Sequence, residues 1–194
     1  MTEPTFIKIK QAQALAICND FDLSAPALAL LPEFPGTADF LQQLIAQQHY
    51  PDAVRLLAHA LPKREATWWA CLSARHGITE TTPANQIKAI ELAEAWVYKP
   101  TDDNRRPTLA AAEATAYNNA ASWAAIAAFW SGTDISPTPL AVIPPSEKLY
   151  AKAVTGAIML AATLGEAEHI KDKYQLFLKQ GLHIANGGDG RAIQ

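Results

Sequence analysis

The stretch "PDAVRLLAHALPKREATWWACLSARHG", residues 51–77, decides the fold. Pro51 and Pro62 both suit the first turn of a helix, where the missing N–H has no intrahelical partner to lose. Behind Pro51, Val54, Leu57 and Ala58 recur at helical spacing. Behind Pro62, Glu65, Trp68, Trp69, Leu72 and His76 fall broadly on one side of a second helix. Gly77 closes that helix, because glycine readily adopts the left-handed conformation of a helix end. His76 is favourable there beside the negative end of the helix dipole. The charged first turn has its own logic. Glu65 suits the positive end of the dipole, and Arg64 and Glu65 each stand four residues before a tryptophan, so either charge can lie against an indole.

The same punctuation extends in both directions. "IKIKQAQALAICNDF" (7–21) predicts a helix that turns Ile9, Ala12, Leu15, Ala16 and Phe21 inward. Ser24 precedes a short helical turn stopped by Pro32, and Thr37 is a good N-cap for "ADFLQQLIAQQHY" (38–50). Thr82 and Pro83 begin "ANQIKAIELAEAWVY" (84–98), which Pro100 ends. Thr101, Asp102 and Asp103 cap a helix that contains "PTLAAAEATAY" (107–117), with Pro107 either starting it near Arg106 or bending it there. "ASWAAIAAFW" (121–130) stops at Ser131 and Gly132, and the segments 147–164 and 166–186 supply the last two helices. No strand-length run alternates cleanly. The class is therefore all-α: a compact multi-helix bundle of about eight or nine helices, in which the alanine-rich faces of 109–116 and 120–128 let neighbours approach closely. Residues 1–186 read as a single helical domain, and the three glycines of 187–194 read as a flexible C-terminal tail. "LLAHALP" (56–62) faintly echoes "LAEAWVYKP" (92–100), but no solenoid repeat signature is present.

One segment breaks the helical pattern. "SGTDISPTPLAVIPPS" (131–146) holds Pro137, Pro139, Pro144 and Pro145, and an irregular connection of this length is more often functional or a packed arm than a plain linker. Its Ile135, Leu140, Val142 and Ile143 need cover, either on the bundle or on a partner. Leu140 and Val142, beside the helix end at Trp130, are the candidate partner-binding residues.

Composition excludes more than it suggests. A net charge of -3 with no Lys/Arg block leaves no footprint for nucleic acid. Cys18 and Cys71 are far apart and form neither a disulfide framework nor a zinc motif. The five histidines show no ligand spacing and no HExxH, so neither a metal nor a cofactor is expected. Ser131 lacks the G-x-S-x-G context of a hydrolase nucleophile and reads as a helix terminator. The cluster "TDDNRRP" (101–107) reads as a cap plus solvated charges, because the adjacent Asp102 and Asp103 point to different sides of a helix. The N-terminus lacks the plan of a signal peptide and no apolar run reaches membrane-spanning length, so a cytoplasmic protein without membrane insertion is expected.

The combination "LPKREATWWAC", with "YPDAVRLLAHA" before it and "AEAWVYKPTDDNRRPTLAAAEA", "SWAAIAAFWSG" and "VIPP" after it, resembles an uncharacterised bacterial family of small helical proteins. The resemblance runs over about residues 10–186, and its Leu-Pro-x-Arg-Glu-x-x-Trp-Trp-Ala motif is specific. It implies an association with type VI secretion gene neighbourhoods and brings no catalytic residues with it. Two functions follow as expectations. One is a non-catalytic accessory protein that binds another protein, a secretion component or cargo, as adaptor or chaperone. The other is an all-helical enzyme or toxin-related protein with a site assembled from Arg64, Glu65, His59 and Asp102. In the first, Arg64, Glu65, Trp68 and Trp69 form a structural motif.

Overall fold

The computed structural model describes residues 6–136 and 141–191, and those residues are all-α with no strand among them. Two short helices, α1 (Ala14–Cys18) and α2 (Ala25–Leu30), precede α3 (Thr37–Ala46), α4 (Tyr50–Ala60), α5 (Lys63–Arg75) and α6 (Ala84–Tyr98). Then come α7 (Asp102–Arg105), α8 (Pro107–Glu113), α9 (Ala120–Trp130), α10 (Leu149–Thr163) and α11 (Ile170–Ala185), the last entered through a single 3₁₀ turn at Ala167–His169. Pro107 starts a new helix rather than bending an old one. It lacks the N–H that would have continued α7, and position N1 does not need one.

The bundle is organised around α9. This helix has no polar face, and Ala121, Ser122 and Ala124 through Phe129 are all buried. A helix apolar on every side has to be surrounded. Accordingly α10, α6, α5 and α8 all pack on it, and its alanines set the close approach. The side chain of Asn119 opens α9 by accepting from Ser122 N, and Ser24 caps α2 in the same way through Ala27 N.

Beside α9, α5 touches α6, α10 and α11 as well. Trp69 projects from it into the centre with no exposed surface, and its Nε1 donates to Phe177 O at 2.7 Å. Room for that indole comes from Gly181, one turn beyond Phe177. A Cβ there would sit 2.7 Å from Trp69 Cε2 and 2.7 Å from Leu57 Cδ2. Trp123 and Trp130 are half-buried and meet edge to face, with ring centroids 6.3 Å apart. Trp123 also covers Gly156 of α10.

Three local expectations are corrected. The first helix is only Ala14–Cys18, and Leu15 points to solvent while Ala14, Ile17 and Cys18 turn inward. The residues before it form a turn at Ile7 and Lys8 and then no helix, because their backbone groups are satisfied from elsewhere. Thr37 N donates to Ala12 O, Ala14 N donates to Pro35 O, and Lys8 N donates to Ala185 O. Thr37 is not the cap of α3. Gly36 holds that position, and the Thr37 hydroxyl donates instead to Gln11 O. In place of a frayed end, residues 187–191 fold back against α5, as the site below requires.

Candidate functional site

The first turn of α5 distributes its charges to three neighbours. Arg64 Nε donates to Val97 O at 2.6 Å, and Val97 lies in the last turn of α6, where carbonyls lack intrahelical donors. Arg64 is thus a side-chain cap for the end of α6. Glu65 pairs with Lys8 of the extended N-terminal segment at 3.0 Å. Lys63 lies over the ring of Tyr150, 5.8 Å from its centroid. Arg64 and Glu65 do not pair with each other. Their placement after Pro62 ties α5 to α6 and to the chain's beginning.

Arg64, Glu65 and Lys8 also form one wall of a cleft of about 240 Å³, which Trp68, Val97, Tyr98, Ile184 and the segment 187–191 complete. Trp68 and Tyr98 face each other with ring centroids 6.0 Å apart. Trp68 Nε1 donates to Asp189 O at 2.7 Å, so the C-terminal segment is pinned to the motif by its backbone. The guanidinium over the Trp68 ring, 4.7 Å from its centroid, belongs to Arg191 and not to Arg64, and Arg191 also donates to the Tyr98 hydroxyl. The glycines of this segment are required by its proximity. Gly190 has φ +75°, donates its N–H to His183 Nδ1, and would bring a Cβ within 2.8 Å of Leu72. Adjacent tryptophans therefore diverge. Trp69 builds the core, and Trp68, about 100° further back around the helix, builds the cleft.

Among the described residues the cleft carries Lys8, Arg64 and Arg191 against Glu65 and Asp189, and its lining includes no serine, cysteine or histidine. Such an arrangement recognises through stacking, hydrogen bonds and charge. The four residues considered for an assembled site do not converge. Arg64 and Glu65 line this cleft, His59 lies in another cavity, and Asp102 is engaged with Arg105 and Arg106.

The cluster 101–107 is not simply a cap with solvated charges. Arg105 is almost wholly buried. Its Nε donates to Asp102 at 2.8 Å, its Nη1 donates to Phe129 O at 2.8 Å, and its guanidinium lies 5.2 Å from the Phe129 ring centroid. That hydrogen bond, followed by the nearby Arg106, holds the Asp102 carboxyl below the usual carboxylate range. Gly132 is the only residue type that fits beside this guanidinium, since a Cβ would lie 2.3 Å from Arg105 Nε.

Arg106 clamps the proline loop. It contacts Asp134 at 2.6 Å and donates to Ser136 O at 2.7 Å. Asp134 in turn accepts from Ile143 N, Ser136 N and Ser136 Oγ at 2.8–2.9 Å. These donors, led by Ile143 N, hold its carboxyl far below the ordinary range. With Ile135 N donating to Ile143 O at 2.8 Å, the two ends of the loop are tied together. Beyond this clamp Val142 is 71% exposed and Ile143 49% exposed. Leu140, Pro137 and Pro139 lie outside the described residues, and Trp130 stands half-buried where α9 meets the loop.

Sequence reasoning found Arg64, Glu65 and Trp68 but not Lys8, Tyr98, Asp189 or Arg191, which join the cleft from up to 123 positions away from Trp68. Nothing in their local sequence marks them. Among the described residues no group of three His, Cys, Asp or Glu side chains is placed to hold a metal ion, and no helix is long and apolar enough to cross a membrane.

No curated protein and no solved structure matches the chain. A family model does match, over residues 40–185, which spans α3 through α11 and includes the whole Arg-Glu-Trp-Trp motif. The chain belongs to this family, a family of unknown function (DUF6931).

Proposed function

We propose that this chain is a non-catalytic accessory protein that binds another protein, as adaptor or chaperone, in the setting of bacterial type VI secretion, with the loop after Trp130 forming the contact. The observation that carries the reading is the exposure of Val142 and Ile143 on a loop fixed at its base by Arg106 and Asp134. A mobile loop loses entropy when it docks. A loop already pinned by four hydrogen bonds, and stiffened by Pro144 and Pro145, loses less. Two adjacent aliphatic side chains held outward in this way are suited to a partner's pocket. The secretion setting rests on the family resemblance alone, and the same experiment tests it. The enzyme alternative around Arg64 and Glu65 would have to work in a cleft whose lining holds no serine, cysteine or histidine and in which Glu65 is paired with Lys8.

The test is site-specific photocrosslinking in the source organism, with the photoreactive residue at position 142 and, as control, at the exposed Glu113. A discrete adduct from position 142 that is missing from position 113, and is lost when Ile143→Asp is added, supports the reading. Identification of the adduct as a secretion component or its cargo supports the setting. Equal adducts from both positions, or none from 142 in folded protein, would remove the loop from any interface.

A further inference from the structure

The segment 187–191, Gly-Gly-Asp-Gly-Arg, lies on Trp68 and Tyr98 as a peptide ligand lies on a receptor. The Asp189 carbonyl accepts from Trp68 Nε1 at 2.7 Å. Two residues later the Arg191 guanidinium stands 4.7 Å from the Trp68 ring centroid and donates to the Tyr98 hydroxyl. Trp68 and Tyr98, with centroids 6.0 Å apart, thus offer one π face and one acceptor to the same cation. A guanidinium is planar, so it stacks and donates at once, whereas an ammonium is a compact point charge with no flat face to lay on an indole. Between the two contacts lies Gly190, the one buried residue of the segment. Its φ of +75°, and a Cβ position only 2.8 Å from Leu72 Cδ1 and 3.0 Å from Ile184 Cδ1, leave room for glycine alone. The cleft therefore holds a carbonyl, a glycine and an arginine, in that order.

Little else holds the segment. Its residues before Arg191 contribute no apolar side chain, and Gly187, Asp189 and Arg191 are exposed. The other ties are backbone donations: Gly187 N to Ile184 O and Gly188 N to His183 O at 2.9 Å, and Gly190 N to His183 Nδ1 at 3.1 Å. Three of the five residues are glycine, which loses more backbone freedom on ordering than any other residue. The receptor is firmer than its occupant. Trp68 stands on α5 and Tyr98 on α6, and Arg64 joins these two helices beside the cleft through its 2.6 Å bond to Val97 O. That bond does not involve the segment.

We propose that the Trp68–Tyr98 cleft is a docking site for a Gly-Arg pair on a partner protein, and that segment 187–191 occupies it as an internal ligand which the partner displaces. The seated segment argues for the chemistry of that partner, since the cleft already accommodates a guanidinium with Arg64 and Lys8 in its wall. An acidic side chain in the same place would meet the negative π face of the indole. This site goes beyond the loop contact at Val142 and Ile143 and does not rest on it.

The probe is acetyl-Gly-Gly-Asp-Gly-Arg-amide, the sequence of 187–191, titrated into the full chain and followed by the indole N–H resonance of Trp68, which Trp68→Phe assigns. In the double variant Gly190→Val/Arg191→Ala the segment is unseated, because the new side chain collides with Leu72 and the stacked cation is gone. Circular dichroism verifies that this variant folds. The expected result is saturable one-site binding to the variant, and binding at least about tenfold weaker to the wild type, whose own segment fills the site. Changing the peptide's arginine to lysine, or the glycine before it to alanine, should weaken binding to the variant about threefold or more. Absence of a saturable shift in the unseated variant overturns the proposal. So does equal affinity for variant and wild type, or a lysine or glutamate peptide that binds as tightly as the arginine one. Free arginine amide binding as tightly as the pentapeptide also overturns it, because the cleft would then be a small-molecule site.

Discussion

Replacing Gly181 with alanine sets two well-characterised effects against each other. Inside a helix such as α11, alanine is favoured over glycine by about 0.8–1 kcal/mol. At this position the new Cβ would meet Leu57 Cδ2 and Trp69 Cε2 at 2.7 Å and Trp69 Cζ2 at 2.9 Å, against an ordinary carbon contact of about 3.5–4.0 Å. The leucine methyl can rotate away. The indole cannot, because it is wholly buried and its Nε1 is tied to Phe177 O, on the same helix one turn earlier. Overpacking of this kind costs about 1–3 kcal/mol. Subtracting the propensity gain leaves a net loss of about 1 kcal/mol, or a fall of about 2–4 °C in Tm for a chain of this size. The background decides the sign. In Trp69→Phe the smaller ring vacates the space near position 181, so Gly181→Ala becomes neutral or stabilising while the parent variant is itself weakened. Urea unfolding followed at 222 nm on the four proteins of this cycle measures the coupling directly. If Gly181→Ala raises stability in the wild-type background, or changes it equally in both, the close approach of Trp69 to α11 is not what keeps a glycine at 181.

Other outcomes follow from the same packing and from the loop clamp. Trp69→Ala should lower unfolding free energy by about 3–5 kcal/mol, read from denaturant midpoints, since it empties the centre and removes the indole hydrogen bond to the Phe177 carbonyl. Asp134→Asn should lower Tm at pH 7, because the folded state depresses the Asp134 pKa and so favours its charged form. The sign fixes the window: the difference from wild type is full above the ordinary carboxylate pKa of about 3.9 and shrinks as pH falls below it, which a Tm series from neutral to acid pH reads out. Burial pushes the Cys18 thiol up to about 11 and Cys71 further still. Neither should react with Ellman's reagent at pH 8 in the folded protein, and both should react on unfolding.

The helical class and most element starts were legible in the chain, because they rest on local physics. A proline at or just before a helix's first turn, a glycine at a helix end and an apolar stripe act within a few residues of themselves, so Pro51, Pro62, Pro107 and the alanine-rich α9 announce their roles. The failures share one cause. Residues 7–13 carry a serviceable helical pattern and form no helix, because their backbone groups find partners at Thr37 and Ala185 instead. Arg105 looked like a surface charge and is buried, because Phe129, 24 positions later, supplies the carbonyl and ring that accept it. The cleft depends on contacts of the same kind. Whether Trp68 faces solvent or a cavity is settled by a C-terminal segment that returns 121 residues later to accept its N–H at Asp189. Glycines at 187, 188 and 190 signal a loose end when judged alone, yet Gly187 and Gly190 supply positive φ, and a Cβ at 188 or 190 would collide with His183 or with Leu72 and Ile184. Local rules choose which segments become helices. The partners of exposed and charged side chains are chosen by packing, because those energies exist only once distant elements have met.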